Sequence, residues 1–309
     1  MIPELLFYKI VQLFAIMLIG LLIVKLKVVK SDDAKALSKI SLYLLLPAAI
    51  ISAYDTDATD DISSGLILAF VAATVMHFLL LLIDILYKRI ARPGSVERAS
   101  VMYSNAGNLI IPIVTFVLGA EWVIYSTAFL SVQLIFIWTH GISLFTNDKK
   151  MNIKKILLNP SIIAIAIGII ILLTPIQLPS IVADVSDSLA SMVGSIGMLI
   201  AGMTMAEVDF KKVLSNKRLY ISSLLRLIVC PIIILGLVIL LRVISPLSKE
   251  MSHNVLLISY LAAITPSAAS VLQFAKLYEN ESDLAVSINA VTTILSILTM
   301  PLFVMLYQL

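Results

Sequence analysis

The sequence is short of charge, of cysteine and of histidine. Only 13% of its 309 residues are Asp, Glu, Lys or Arg, about half the share of an ordinary soluble domain. That leaves too little polar material to cover a water-soluble core. One cysteine, Cys230, excludes an intrachain disulfide and any cysteine-based metal cluster. The three histidines form no HExxH, and no Walker A sequence is present, so ATP does not act through a P-loop of this chain. GSIG at 194–197 lies in an apolar run without the strand–turn–helix setting of a serine nucleophile. No Ser–His or Ser–Lys pair sits at matching depth, which argues against an intramembrane enzyme.

Apolar residues make up 60% of the chain, with a mean hydropathy of +1.06. They fall in blocks of about 20, the length that crosses a bilayer. The pattern predicts an all-α polytopic membrane protein with ten transmembrane helices. The spans are about 5–24, 36–53, 65–87, 98–118, 122–145, 157–173, 182–205, 219–243, 253–276 and 284–307. The opening MIPELLFYKI has an acid where a signal peptide has basic residues, so it reads as a first span.

Charge position gives the orientation. Lys25, Lys27, Lys30, Lys35 and Lys39 fall between spans 1 and 2, and Lys88, Arg89, Arg92 and Arg98 between spans 3 and 4. Lys149, Lys150, Lys154 and Lys155 follow span 5; Lys211, Lys212, Lys217 and Arg218 follow span 7; Lys276 closes span 9. These are 18 of the 22 basic residues, all on one side of a ten-span chain. The bias places that side in the cytoplasm of a cell-membrane protein. Both termini, and the acidic loop with Asp55, Asp57, Asp60 and Asp61, are then extracytoplasmic.

Residues 1–155 and 156–309 form two halves of five spans each, which insert with opposite topology. Each half has an interrupted fourth span, SNAGNLIIP in span 4 and AITPSAAS in span 9. Pro112 and Pro266 lie 154 residues apart, and Pro93 and Pro246 lie 153 apart. Interrupted spans at matching positions of two halves point to a transporter binding site. Proline lacks an N–H, so Pro112 frees the carbonyl of Asn108 and Pro266 that of Ala262. Asn108 can cap the helix LIIPIVTFVL, and Thr265 can cap one that has Pro266 at its first position. Two half-helix N-termini would then face mid-membrane, a ready site for a carboxylate. No Asp or Glu falls near the centre of a span, and the nearest, Asp84, is four residues before Lys88. A cationic substrate would find no counter-charge, so an anion or a neutral polar solute fits such a site better.

LSKISLYLLLPAAIISAY in span 2, SNAGNLIIPI in span 4 and TPSAASVLQFAKLYENESDLAVSINAVTTILSILTMPL across spans 9 and 10 carry a resemblance. In these segments, and over nearly its whole length, the chain resembles the auxin efflux carrier family, within the bile-acid/arsenite/riboflavin transporter superfamily. The resemblance implies two inverted five-helix repeats with crossing broken helices 4 and 9. Spans 1, 2, 6 and 7 (about 1–55 and 156–206) would form a scaffold, often dimerising. The other spans (about 65–146 and 219–309) would form a moving transport core. It implies small organic anions as substrates, malate-like or auxin-like carboxylates. The substrate-binding positions that match are Asn105, Gly107, Asn108 and Pro112, with Thr265, Pro266 and Ser267 opposite. Span 9 offers hydroxyls at the crossing and no asparagine.

Other polar residues each have two candidate roles. His77 and Asp84 share a face of span 3 about 10 Å apart. They could relay a coupling proton, or His77 could bond a neighbour while Asp84 reaches the interface beside Lys88. Arg226, about 12 Å into span 8, could draw an anion to the mouth or snorkel to headgroups. Gln133 and His140 share a face of span 5 and suit helix–helix hydrogen bonding. Gln273 and Asn289 could line the core, with Asn289 a candidate for ion coupling. Ala190, Gly194, Gly197, Ala201 and Gly202 make a small-residue strip for close packing. Na⁺ coupling, H⁺ coupling and uniport all stay open, and no other cofactor and no nucleic-acid partner is expected. A sensor that binds an anion without moving it, or a Na⁺-coupled carrier of a bile-acid-like or neutral solute, is the alternative.

Overall fold

The computed structural model describes residues 2–56, 59–146, 154, 157–174, 178–206 and 216–309. Asp57, Lys149, Lys150, Lys155, Lys211 and Lys212 lie outside the described residues. Among the described residues the chain is helical, with one isolated antiparallel bridge and no strand. Helix α1 spans Ile2–Lys25, α2 Ser31–Tyr54, α3 Asp60–Ala91, α4 Ser95–Met102, α5 Ala106–Val117 and α6 Ala120–Phe145. Then follow α7 Pro160–Leu173, α8 Ser180–Met205, α9 Lys217–Ile244, α10 Lys249–Ile264, α11 Ala269–Leu277 and α12 Ser282–Gln308. Seven of these (α1, α2, α3, α6, α8, α9 and α12) are long and apolar enough to cross a membrane. The protein is a multi-pass membrane protein. Each interrupted segment expected at 98–118 and 253–276 is two separate helices, α4 with α5 and α10 with α11.

Local sequence explains where helices start. Thr59 Oγ1 accepts the Ile62 amide at 3.2 Å and opens α3, whose first turn carries Asp60 and Asp61 and whose last carries Lys88 and Arg89. Both ends complement the helix dipole. Asn159 caps α7, with Pro160 in the first turn, and Asn216 and Ser248 cap α9 and α10 in the same way.

Glycines bring two helices to backbone contact and let a third take a ring of its neighbour. A Cβ on Gly20 would strike the Leu199 carbonyl, and one on Gly202 the Met17 carbonyl, so α1 and α8 pack without side chains between them. Gly168 of α7 lies on the Tyr54 ring of α2, and Ser52 Oγ donates to Asp187 Oδ1 at 2.5 Å, tying α2 to α8. The small-residue strip is therefore a packing surface, as expected. It serves two neighbours: Gly202 faces α1, whereas Gly194 and Gly197 face Pro112 and Asn108 of α5.

The connections sort to two ends. At one end Arg218 of α9 bonds Glu97 of α4 at 2.8 and 2.5 Å and Glu281 beside α12 at 2.5 and 2.9 Å. Ser95 there donates to the Leu144 carbonyl near the end of α6. At the other end Tyr307 Oη donates to the His253 carbonyl at 2.8 Å, and Ser252 bonds Ser245 at 2.8 Å. Residues that the charge pattern puts on one face do lie together.

Candidate functional site

The two interrupted segments cross at their breaks. The chain leaves α4 at Met102 with Tyr103 extended, and leaves α10 at Ile264 with Thr265 and Ala268 extended. The Asn105 amide donates to the Pro266 carbonyl at 2.8 Å and the Ala268 amide to the Tyr103 carbonyl at 3.0 Å. Ser104 and Ser267 form the antiparallel bridge between them. Side chains bind the outward edges of this short ribbon. Gln133 of α6 accepts the Ser104 amide at 3.0 Å and its hydroxyl at 2.6 Å, and donates to the Ser104 carbonyl at 2.9 Å. From α12, Thr292 Oγ1 accepts the Ser267 amide at 3.2 Å, and Asn289 Nδ2 donates to the Ser267 carbonyl at 2.6 Å.

Arg226 closes the ends of the preceding helices. Its side chain is 0% exposed, and its guanidinium donates to the carbonyls of Thr265 (3.0 and 2.6 Å), Ala263 (2.5 Å) and Val101 (3.2 Å). Neither snorkelling nor a place at the mouth describes it. The helix C-terminal carbonyls supply partial negative charge where no carboxylate does. Arg226 lies in a π turn, Leu225–Val229, and His140 in another, Ile137–Gly141; such turns redirect side chains at functional positions.

Several expectations change at this level. The cap position of α5 is Asn105, not Asn108; Asn108 sits in the first turn and donates through Nδ2 to Asn105 Oδ1 at 3.2 Å. Thr265 ends α10 instead of capping the next helix, which starts at Ala269 behind Ala268. Its hydroxyl donates at 3.0 Å to the Ala262 carbonyl that Pro266 leaves free. Pro112 lies inside α5, whereas Pro266 lies within the break, so the two prolines are not counterparts. The residues that pair are Ser104 and Ser267.

Asn105, Gly107, Thr265, Pro266, Ser267 and Asn289 are thus assembled at the crossover, with Asn108 and Pro112 on α5 beside it. The amides that open α5 and α11 have no partner within their own helices, and Ser267 Oγ is buried without one among the described residues. A Cβ on Gly107 would meet nothing within 4 Å, so open space adjoins the start of α5. The Asn108 and Pro112 side chains instead press on α8, where a Cβ on Gly197 or Gly194 would lie 2.9 or 2.7 Å away. Between α1, α5, α8 and α12 a cavity of about 10 Å³ remains, lined by Leu13, Leu109, Met198 and Met300 among others. That is room for one water.

Gln273 is exposed on α11 and joins none of these bonds. His77 and Asp84 are held by different partners. His77 is 0% exposed, held by a 2.7 Å Nδ1 bond to the Ala73 carbonyl between the rings of Phe129 and Phe136. Asp84 is buried and its carboxylate is taken by other helices: Arg98 donates to both its oxygens at 2.8 and 2.5 Å, and His140 Nε2 lies 3.3 Å away. His140 Nδ1 in turn meets the Tyr103 hydroxyl at 2.9 Å, so this chain of polar groups ends at the crossover. No group of three or more His, Cys, Asp or Glu among the described residues could hold a metal.

Sequence reasoning passed over the roles of Arg226 and Thr292. An arginine inside an apolar run was a signal for the first. The three-residue spacing from Asn289, which puts Thr292 on the same helix face, was one for the second.

Crossing interrupted helices inside a multi-pass helical bundle define a class, the membrane transporters. The chain matches the family described as membrane transport protein over residues 5–152 and 145–304. It belongs to that family, the auxin efflux carrier family of the resemblance above. A search of the curated proteins finds no match.

Proposed function

We propose that this protein is a secondary transporter of small organic anions, malate-like or auxin-like carboxylates, working by alternating access around the crossover. The carrying observation is that two interrupted helices restart at one point, beside the buried cation Arg226 and the open space at Gly107. Two half-helix N-termini and a guanidinium favour negative charge there. The carboxylate would meet the first amides of α5 and α11 with Asn105, Asn108 and Ser267, leaving Thr265, Pro266 and Asn289 to hold the backbone.

The same proposal takes the twelve helices as ten spans in two inverted repeats, with α4–α5 and α10–α11 each counted once. Helices α1, α2, α7 and α8 act as the scaffold, through which two copies pair, and the rest as the core. The basic loops face the cytoplasm and both termini face outward. Asn108 and Pro112 lie against Gly197 and Gly194, so admitting a substrate requires α5 to move along or away from α8. Movement of the core against this glycine strip is the alternating step. The coupling ion, if one is used, would be Na⁺ at the crossover oxygens or H⁺ through His77 or Asp84.

Uptake of radiolabelled malate into proteoliposomes tests the proposal, with wild type and Asn108→Ala under imposed H⁺ and Na⁺ gradients. Uptake by wild type and none by the folded variant is the expected result. Equal uptake by both removes the crossover as the site. Silence of wild type toward malate and other carboxylates, with binding retained, would favour an anion sensor.

A further inference from the structure

A groove of about 580 Å³ opens at the end of α3, lined by none of the crossover residues. Leu81, Asp84, Ile85, Lys88 and Arg89 line it from α3 and Arg92 from just past its end, with Arg98 and His140 opposite. The α3 positions fall on one helix face, and Leu81 to Arg89 spans about 12 Å, most of one leaflet's share of a 30 Å hydrocarbon core. The stripe has a gradient: apolar Leu81 and Ile85 lie deep, and Lys88, Arg89 and Arg92 lie at the end facing the basic loops.

The cations differ in how they are engaged. Arg98 is committed to Asp84 through two bonds, and His140 approaches the same carboxylate. Lys88, Arg89 and Arg92 are exposed and make no ion pair among the described residues. The C-terminus of α3 offsets about half a charge, against three cations. The lining needs an anion at its outer end and a hydrocarbon chain along Leu81 and Ile85. A dissolved phosphate satisfies the first requirement only.

We infer that this groove binds an anionic glycerophospholipid, its phosphate at Lys88, Arg89 and Arg92 and an acyl chain along Leu81 and Ile85. Basic recesses between membrane helices suit such headgroups. The bound lipid sits over the Asp84–Arg98–His140 cluster, one hydrogen bond from Tyr103 at the crossover.

Native mass spectrometry of the full chain in detergent, given equal phosphatidylglycerol and phosphatidylcholine, tests this. Wild type is expected to retain one phosphatidylglycerol in about a hundredfold preference, and Lys88→Gln/Arg92→Gln to lower it by about 25-fold. Arg89→Gln alone, the milder change, is expected to lower it by about fivefold. The charge-matched Lys25→Gln/Lys27→Gln, outside the groove, should retain it. Equal retention of the two lipids by wild type, or equal loss in the control variant, overturns the assignment. So does displacement of the lipid by millimolar inorganic phosphate, which would make the groove a free-anion site.

Discussion

The two interruptions carry the same backbone arrangement with different hardware. At the first, one side chain, Gln133, serves the amide, hydroxyl and carbonyl of Ser104, and Arg226 reaches the preceding helix through a single 3.2 Å bond to Val101. At the second, Asn289 and Thr292 divide the work on Ser267, and Arg226 gives three shorter bonds to Thr265 and Ala263. The second break is therefore the anchored one. The first has the open space at Gly107 and the carboxamides of Asn105 and Asn108. The two breaks pair alike and differ in their support, the second braced by Arg226 and the first bordered by open space, a difference that substitutions can test.

Arg226→Ala should do the most damage. It strands the Thr265, Ala263 and Val101 carbonyls in a site closed to water, each worth about 1–3 kcal/mol when unsatisfied. We expect no folded protein on detergent extraction, judged by size-exclusion elution and melting temperature. Arg226→Lys retains the charge but not the fork of donors, so it should fold with a lower melting temperature. A normal melting curve for Arg226→Ala would mean the second break is not anchored this way.

Next in size comes the contrast between Gln133→Ala and Asn289→Ala. The first leaves both backbone groups of Ser104 unpaired, the second only the Ser267 carbonyl, because Thr292 still accepts the amide. At about 1–3 kcal/mol per group, Gln133→Ala should destabilise roughly twice as much. Denaturation of the purified variants measures the ratio, and a larger loss from Asn289→Ala would mean that Thr292 does not hold the Ser267 amide by itself.

The helical class, most helix positions and both interruptions were legible because hydropathy and the positions of basic residues report the bilayer directly. Loops expected on one face do share an end, as Arg218 with Glu97 and Glu281 demonstrates. The internal alignment of the halves was not legible. Proline spacing suggested Pro112 with Pro266, but proline marks only a lost N–H, and a helix restarting at Ala106 can carry Pro112 in its interior. The cap positions slipped for a related reason: the extended ribbon fixes where each half-helix restarts, and its pairing is tertiary. Arg226 was visible as an intramembrane charge, but its partners are carbonyls from two distant segments that no sequence pattern marks. Asp84 likewise shared a helix face with both His77 and Lys88, yet Arg98 and His140 from other segments took its carboxylate.

The smallest changes probe the first break, where the proposed function puts the carboxylate. A methyl at Gly197 would press on Asn108, whose Cβ is 2.9 Å from the position it would take, so Gly197→Ala should lower stability by about 1–3 kcal/mol. It should also impair uptake by shifting the α5–α8 contact. Gly107→Ala adds the same methyl into open space, and alanine is the better helix residue by about 0.8–1.0 kcal/mol in a helix interior. Its melting temperature should hold or rise slightly. If Gly107 borders the path of the substrate to the first amides of α5, uptake should nevertheless fall, with the apparent KM for malate rising. Packing alone gives no reason for a stable Gly107→Ala protein to transport poorly, so that combination would separate recognition from structure. A variant both stable and fully active would put the approach to the crossover elsewhere, with Ser267 on the second break the next position to alter.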